Sequence, residues 1–244
     1  MKFDRSAYEI EDPSELISPS LIYYEDIIRG NIKRAVEIAG DAGRLWPHMK
    51  THKMSEMIRL HLEAGVTRFK CATIAESEMV AACGVKDIVL AYPLVGPNIK
   101  RFAALNEGYP DARFWAIGDD LEQLALLGRA FVSKGKKARL LIDINAGNNR
   151  TGVAFEGVAE LYRACAALEG ISVDGLHCYD GHNNNPDRSV RDAFAAQTYD
   201  SVSDIKKELE ADGLCVEIII LGGTPSFLCY AAYRASFSRR ARCS

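Results

Sequence analysis

Four short segments of this sequence contain nucleophilic, cationic or aromatic side chains that are spaced closely enough to act together in a binding or catalytic site. The first segment, Pro47–Lys53, places Lys50 between His48 and His52. If the chain there is a β-strand, period-two alternation puts those three side chains on one face. Nearby cations lower the pKa of a lysine, and a neutral lysine amine attacks aldehydes, so Lys50 is a candidate for a Schiff base. The alternative interpretation is a solvated basic loop.

The second segment is Gly222-Gly223-Thr224-Pro225-Ser226. Glycines let backbone N–H groups approach an anion closely. We expect Thr224 to cap the next helix, with Pro225 at its first position, and a helix start of this kind holds phosphate well. A plain strand-to-helix turn is the alternative.

The third and fourth segments add an aromatic ring, a histidine and an arginine. If His177 and Tyr179 share the inward face of a strand, Tyr179 reaches the same end of the sheet and can stack on a ring. His182 lies in the loop that follows and suits proton transfer near neutral pH. Arg150 lies in a loop rich in asparagine and glycine and suits an oxyanion or a carboxylate. Taken alone, each of these residues also fits an ordinary loop.

Seven short apolar runs, separated by segments with helical spacing, must position these residues. The expected strands are residues 44–50, 68–72, 87–92, 112–117, 138–144, 173–178 and 216–221. The expected helices include residues 25–39, 56–64, 75–82, 121–133, 157–168 and 190–211. The alternation predicts right-handed βαβ units and an α/β class. No glycine-rich turn follows the first expected strand, so we favour a (β/α)8 TIM-type barrel over a doubly wound sheet.

The composition limits the classes of protein that this chain can belong to. Its 244 residues are 48% hydrophobic and carry a formal net charge of −3, which is typical of a globular protein and argues against a basic nucleic-acid binder. No apolar run approaches the ~18–20 residues of a membrane helix, and the first residues lack a signal-peptide core, so we expect no membrane partner and a cytoplasmic location. The seven cysteines are scattered singly and fit reduced thiols.

A lysine nucleophile, a phosphate cradle, a stacking ring and an arginine at the strand ends of one barrel together describe a pyridoxal phosphate site. The sequence resembles the fold-type III pyridoxal phosphate enzymes, which share the alanine racemase N-terminal barrel. Within them it is most similar to the D-threonine aldolase and D-serine dehydratase-like group. The segments that carry the resemblance are residues 47–53, 70–76, 150–152, 179–182 and 222–226.

The resemblance implies a role for each candidate residue. Lys50 forms the Schiff base, and Arg150 lies near the phenolic oxygen of the cofactor. Tyr179 packs on the pyridine ring, and the phosphate is bound by Gly222, Gly223 and Thr224. The catalytic set is Lys50 with His48 and His182, of which His182 transfers a proton near the substrate.

By the same resemblance, the expected activity is retro-aldol cleavage of a D-3-hydroxy amino acid to glycine and an aldehyde. Dehydratase-type elimination and racemisation are alternatives on the same fold. A non-catalytic pyridoxal phosphate-binding protein and a barrel with no cofactor, which uses sugar or phosphate ligands, are further alternatives. The small-molecule partner is then a D-amino acid, and the family forms homodimers.

The same comparison predicts an incomplete barrel over residues 1–229, truncated after the seventh strand. The family's eighth strand is not visible in the sequence, nor is its C-terminal β domain, which carries a pair of divalent-metal ligands, so no metal ligand is assigned. Residues 230–244 are rich in arginine and serine and are expected to be either a frayed native tail or the product of a fragment or shifted reading frame.

Overall fold

Parallel β-strands alternate with helices along the part of the chain that the computed structural model describes, residues 6–233. The strands are β1 (Arg68–Cys71), β2 (Asp87–Leu90), β3 (Arg113–Gly118), β4 (Ala138–Ile144), β5 (Ile171–Cys178) and β6 (Ile218–Leu221). The α-helices are α1 (Glu25–Ala39), α2 (Ser55–Glu63), α3 (Ile74–Ala82), α4 (Pro97–Gly108), α5 (Leu121–Val132), α6 (Phe155–Ala166), α7 (Arg188–Ala211) and α8 (Phe227–Tyr230). Single 3-10 turns occur at Ser6–Tyr8, Ala42–Arg44 and Met49–Thr51.

The six strands form one parallel sheet in chain order from β1 to β6. Each strand therefore lies beside the next one along the chain, with a helical crossover between them, and the sheet has the shape of a half-barrel. The α/β class and the incomplete TIM-type barrel are confirmed. A register shift between Leu140 and Leu141 marks an irregularity in the β4–β5 pairing.

Both faces of the sheet are buried, as the continuous apolar runs predict. Phe69, Ile88 and Phe114 belong to the large core that the helices cover, and each is 0% exposed. Alternate residues such as Val89, Trp115 and Leu141 form a second, smaller cluster on the inner face. Near the carboxyl ends of the strands, alternate residues therefore face inward, while residues such as Cys71, Leu90 and Cys178 belong to the core that the helices cover.

The expected first strand, residues 44–50, is wrong. Only one parallel bridge joins this segment to β1, between His48 and Lys70, and the amide of Lys70 donates to the carbonyl of Pro47 (2.8 Å). Pro47 has no N–H to offer a sheet. The imidazole of His48 accepts the amide of Lys50 (3.2 Å), and this local hydrogen bond turns the chain into the Met49–Thr51 3-10 turn.

The expected helices are found with bounds that differ by at most two residues, and α1 has the expected bounds. Local capping explains where the helices begin and end. Gly40, with a φ of 77°, ends α1 in the left-handed conformation, and the hydroxyl of Thr73 accepts the amide of Glu76 at the start of α3.

Charged side chains at the amino-terminal end of the sheet bind one another. Arg113 and Asp87 form a bidentate pair (2.6 and 2.7 Å). One carboxylate oxygen of Asp174 accepts both the indole N–H of Trp115 (2.7 Å) and Nη1 of Arg139 (2.8 Å). These contacts link β2, β3, β4 and β5 at the end that is remote from the candidate residues.

A cavity of about 420 Å³ lies between the segment that follows α1 and the β6–α8 region. Tyr233 is part of its lining and stacks on Tyr199, with ring centroids 4.1 Å apart. Residues 234–244, which include most of the expected tail, lie outside the described residues. Among residues 6–233, no helix is both long enough and apolar enough to cross a membrane.

Candidate active site

Lys50 lies in the 3-10 turn at Met49–Thr51, and its ammonium is 5.9 Å from the centre of the Tyr179 ring. The turn, rather than a strand, presents the exposed Lys50 side chain. His48 caps this turn through its imidazole Nδ1. His48 and Lys50 therefore come together as expected, although the alternation that predicted it does not exist.

Arg150 approaches the same ring, with its guanidinium carbon 5.2 Å from the ring centre. The loop that carries Arg150 is shaped by Asn145, whose side-chain oxygen accepts the amides of Gly147 and Asn149 (2.9 and 3.0 Å). Asn149 is left-handed, with a φ of 52°, which asparagine tolerates. Lys50 and Arg150 thus converge on Tyr179 from segments that lie 100 residues apart.

The Gly222–Gly223 turn packs against Tyr179 and has no room for side chains. A Cβ at Gly223 would lie 2.9 Å from the Tyr179 ring, and a Cβ at Gly222 would lie 2.8 Å from the Tyr230 ring. Gly222 also has a φ of 94°, which favours glycine. The turn is therefore a backbone surface that a ligand can approach closely, at the edge of the Tyr179 ring.

The local prediction for Thr224 and Pro225 is wrong. Both residues lie in a turn before α8, which begins at Phe227, and the residue at the N-cap position is Ser226, whose side chain makes no cap hydrogen bond. The Ser226 hydroxyl instead forms hydrogen bonds with Asp180 and with the backbone of Gly223. Thr224 remains exposed at the tip of the turn.

His182 lies in the loop after Tyr179, as expected, and its ring packs beside Gly147 and edge-on to Phe194 (5.1 Å between centroids). Its Nδ1 is buried and has no hydrogen-bond partner among the described residues. His52 does not join His48 and Lys50, since its Nδ1 accepts the amide of Met54 at the start of α2 (3.3 Å).

Sequence reasoning missed a buried acid–base pair below Tyr179. Nδ1 of His177 lies 2.7 Å from Oδ1 of Asp143, and the hydroxyl of Thr151 donates to the other oxygen of that carboxylate (2.8 Å). Burial lowers the pKa of His177, and the Asp143 hydrogen bond opposes that shift. The available signal was a single acidic residue inside an apolar strand.

The sequence did not identify Lys70 as a site residue either, although Lys70 belongs to one of the segments that carry the family resemblance. It lies on the inner face of β1, and its residue is only 8% exposed. Burial and the charge of Lys50 lower the pKa of Lys70 to about 8, while Asp143 and Asp180 oppose the shift. The described residues provide no ion pair or hydrogen bond for its ammonium.

Positive charges dominate the electrostatics at the carboxyl-terminal end of the sheet. Burial and the charges of Lys70 and Lys50 lower the pKa of His48 to about 3, and His177 and Arg150 act in the same direction. His48 is therefore neutral at any working pH and can accept the Lys50 amide. An exposed amine, an unpaired guanidinium, a phenol ring and a glycine turn together suit a planar ligand that carries an aldehyde and an anionic group.

Among residues 6–233, no three His, Cys, Asp or Glu side chains gather as a metal site would require.

The family model described as alanine racemase, N-terminal domain, matches residues 25–240. This chain belongs to that family, and the resemblance to fold-type III pyridoxal phosphate enzymes is confirmed.

Individual relatives include two kinds of aldolase. The 3-hydroxy-D-aspartate aldolase of Paracoccus denitrificans is 30% identical over 93% of this chain and 62% of its own length. The D-threonine aldolase of an Arthrobacter species is 27% identical over 75% of this chain and 48% of its own length. The crystal structure of D-threonine aldolase from Filomicrobium marinum superposes with a TM-score of 0.80 at 28% identity, over 88% of this chain and 59% of that one. The chain thus spans about half to three fifths of the length of these relatives.

Proposed function

We propose that this chain is the cofactor-binding barrel of a pyridoxal phosphate-dependent lyase that cleaves D-3-hydroxy amino acids, as a D-threonine aldolase does. One observation carries the proposal: Lys50 and Arg150 converge on the Tyr179 ring beside the side-chain-free Gly222–Gly223 turn. The names of the aligned relatives support a D-3-hydroxy amino acid as the substrate class.

The residues present fit the cofactor in shape and charge. The missing Cβ at Gly223 leaves room for a phosphate against the turn, while the N–H groups of Gly222 and Gly223 are themselves held by the carbonyl of Cys178 and the hydroxyl of Ser226. The Tyr179 ring offers a surface for a pyridine ring, and Arg150 offers a cation for the phenolic oxygen. Lys50, which has no carboxylate partner among the described residues, supplies the amine for the aldehyde.

Pyridoxal phosphate supplies an electron sink for the bonds at Cα of an amino acid. The residues of this chain have complementary tasks. Lys50 holds the cofactor covalently, while the neutral His48 fixes the turn that carries Lys50. His182, half-buried in the loop that follows Tyr179, takes the proton from the β-hydroxyl of the substrate.

Loss of the β-hydroxyl is the second candidate, which the name of one relative favours. That relative, the D-threo-3-hydroxyaspartate dehydratase of a Delftia species, is 24% identical over 87% of this chain and 57% of its own length. We rank cleavage of the Cα–Cβ bond first because the two aldolase relatives align with higher identity. The products distinguish the reactions, since cleavage of D-threonine gives glycine and acetaldehyde, whereas elimination gives 2-oxobutanoate and ammonia.

The test combines spectroscopy with product analysis. The purified chain is mixed with pyridoxal phosphate, and its visible absorbance is compared with that of Lys50→Ala and of the matched control Lys53→Ala, whose lysine pairs with Glu76 (3.1 Å). We expect a band that borohydride removes in the wild type and the control and that is missing in Lys50→Ala. We expect glycine to form from D-threonine or 3-hydroxy-D-aspartate and to fall at least ~1000-fold in Lys50→Ala.

Two results would overturn the proposal. A folded wild-type chain without the Lys50-dependent band does not bind the cofactor as a lyase must. A band without turnover of either amino acid would favour a non-catalytic cofactor carrier. Sedimentation of the same samples tests the homodimer that the resemblance implies.

A further inference from the structure

A fully buried serine–aspartate pair lies behind the glycine turn. The hydroxyl of Ser226 is 2.6 Å from Oδ1 of Asp180, and both residues are 0% exposed. The same hydroxyl accepts the amide of Gly223 (3.0 Å) and lies 3.2 Å from the carbonyl of Gly223. A hydroxyl has one proton, and the shorter contact to a carboxylate takes it.

The pair ties two halves of the candidate site together. Asp180 immediately follows Tyr179 at the end of β5, and Ser226 closes the turn after β6. The Tyr179 ring and the Cα of Gly181 already lie against Gly223. The Asp180–Ser226–Gly223 chain of hydrogen bonds thus joins the loop that carries the ring to the turn, beside the backbone hydrogen bond from Gly222 N–H to the carbonyl of Cys178 (3.0 Å).

Asp180 places a carboxylate in the protein interior. Its carboxylate faces the phenol of Tyr230, whose pKa rises through burial, through the Asp180 charge and through a hydrogen bond to Asp180. Burying a carboxylate costs free energy of folding even when it accepts hydrogen bonds. A buried aspartate that costs stability and lies next to a candidate ligand site is typical of a functional residue, so we look for a role of Asp180 in ligand binding.

We propose that Asp180 is a positioning residue for the phosphate-binding turn, and that it fixes the backbone of Gly223 through the hydroxyl of Ser226. The inference rests on the proposed function, because the turn is the phosphate site only if the chain binds pyridoxal phosphate. Asp180 is fully buried and acts on the phosphate only through Ser226. Its removal should therefore weaken recognition of the phosphate and leave recognition of the ring unchanged.

The experiment separates these two parts of the ligand. Dissociation constants are measured by fluorescence for pyridoxine 5′-phosphate and for pyridoxine, which differ only in the phosphate and form no covalent bond with Lys50. The variants are Ser226→Ala and Asp180→Asn. The matched control is Ser172→Ala, since Ser172 donates to Asp174 (2.7 Å) in a similar pair at the opposite end of β5.

We expect the preference for the phosphorylated ligand to fall about tenfold in Ser226→Ala and in Asp180→Asn, because each loses a hydrogen bond to a charged group. The affinity for pyridoxine should stay within about twofold, and Ser172→Ala should keep the wild-type preference. Ser226→Ala combined with Asp180→Asn should lose no more than either change alone, since both act on one link.

An unchanged preference in the folded variants overturns the inference, and so does an equal loss of affinity for both ligands. If Ser226→Ala does not fold, Asp180→Asn, which keeps the shape of the side chain, carries the test. These outcomes leave the proposed function standing when the wild type shows the Lys50-dependent band. A wild type that lacks both the band and any phosphate preference overturns the two proposals together.

Discussion

The two ends of the half-barrel hold their charges in opposite ways. At the amino-terminal end, Arg113 is paired with Asp87, and Arg139 with Asp174, in hydrogen-bonded contacts of 2.6–2.8 Å. At the carboxyl-terminal end, the side chains of Lys50, Lys70 and Arg150 have no ion pair among the described residues. The chain therefore pairs these arginines where no ligand is expected, and leaves Lys50, Lys70 and Arg150 without a carboxylate partner where one is, although Lys53 nearby pairs with Glu76.

The difference has a direct physical meaning. In these pairs the carboxylate is mostly buried and the arginine is nearly half exposed, so the pair adds little net stability, whereas loss of the carboxylate leaves its donors unsatisfied. Of the three unpaired cations only Lys70 is buried, and its charge costs free energy that a bound anion would offset. Perturbed and unpartnered groups accordingly mark functional sites, whereas paired charges at the opposite end of a barrel mark structure.

The largest change in stability is expected from Asp174→Ala at the amino-terminal end. The variant leaves the indole N–H of Trp115, the guanidinium of Arg139 and the hydroxyl of Ser172 without their acceptor. We expect the free energy of unfolding to fall by about 2–4 kcal/mol, measured by urea denaturation.

The control for that prediction is Asp204→Ala, which removes an exposed pair with Lys207 and should change the free energy of unfolding by less than about 1 kcal/mol. Folded Asp174→Ala should bind the cofactor as the wild type does. Weaker cofactor binding, or a loss no larger than that of Asp204→Ala, would show that the two ends are not separate in function.

A pH-dependent effect is expected from Lys70→Met at the carboxyl-terminal end. The folded-state pKa of Lys70 is about 8, below its usual 10.5, so the folded protein releases this proton before the unfolded chain does. The unfolded state binds more protons between those values, and the penalty of the buried charge is therefore relieved as pH rises from about 8 to about 10.5. The relief amounts to at most about 3 kcal/mol.

The measurement is the free energy of unfolding of wild type and Lys70→Met at pH 7.5 and pH 10. The difference between them should favour the variant at the lower pH and shrink at the higher pH. The exposed Lys100→Met provides the control and should show no such trend. A constant difference between wild type and Lys70→Met at both pH values would mean that Lys70 is not held as an uncompensated charge.

The smallest effect is expected from His48→Ala, which removes the acceptor for the Lys50 amide. The loss of a cap should cost about 1 kcal/mol at pH 7, and His48→Asn, which keeps an acceptor, should lose less. The folded pKa of His48 is lowered to about 3, so the wild type loses stability as pH falls through 6.5 and the alanine variant escapes that loss. If His48→Ala and His48→Asn lose the same free energy of unfolding at pH 7, His48 does not act as a cap.

The periodic parts of the sequence predict most of the fold. Continuous apolar runs identify the six observed strands, because burial on both faces of a parallel sheet requires apolar residues along the whole strand. Helical spacing predicts both ends of α1. The expected strand at 44–50 fails because Pro47 cannot donate and His48 hydrogen-bonds the local backbone. A single hydrogen bond of that kind is invisible to periodicity.

The approach of Arg150 to Tyr179 is predictable, since residues that follow neighbouring parallel strands meet, whereas Lys50 reaches the same ring from a 3-10 turn that the sequence did not predict. The Asp143–His177 and Asp180–Ser226 pairs are not predictable, because they join residues 34 and 46 positions apart whose partners depend on the register of the strands. The burial of Lys70 is likewise set by neighbouring strands rather than by its own segment.

The most direct test of the account asks which amine bonds the cofactor, since Lys50 and Lys70 lie at the same end of the barrel. The chain is mixed with pyridoxal phosphate, reduced with borohydride, digested and sequenced by mass spectrometry. The account predicts a phosphopyridoxyl group on Lys50 alone. The group on Lys70, or a random distribution over surface lysines, would contradict it.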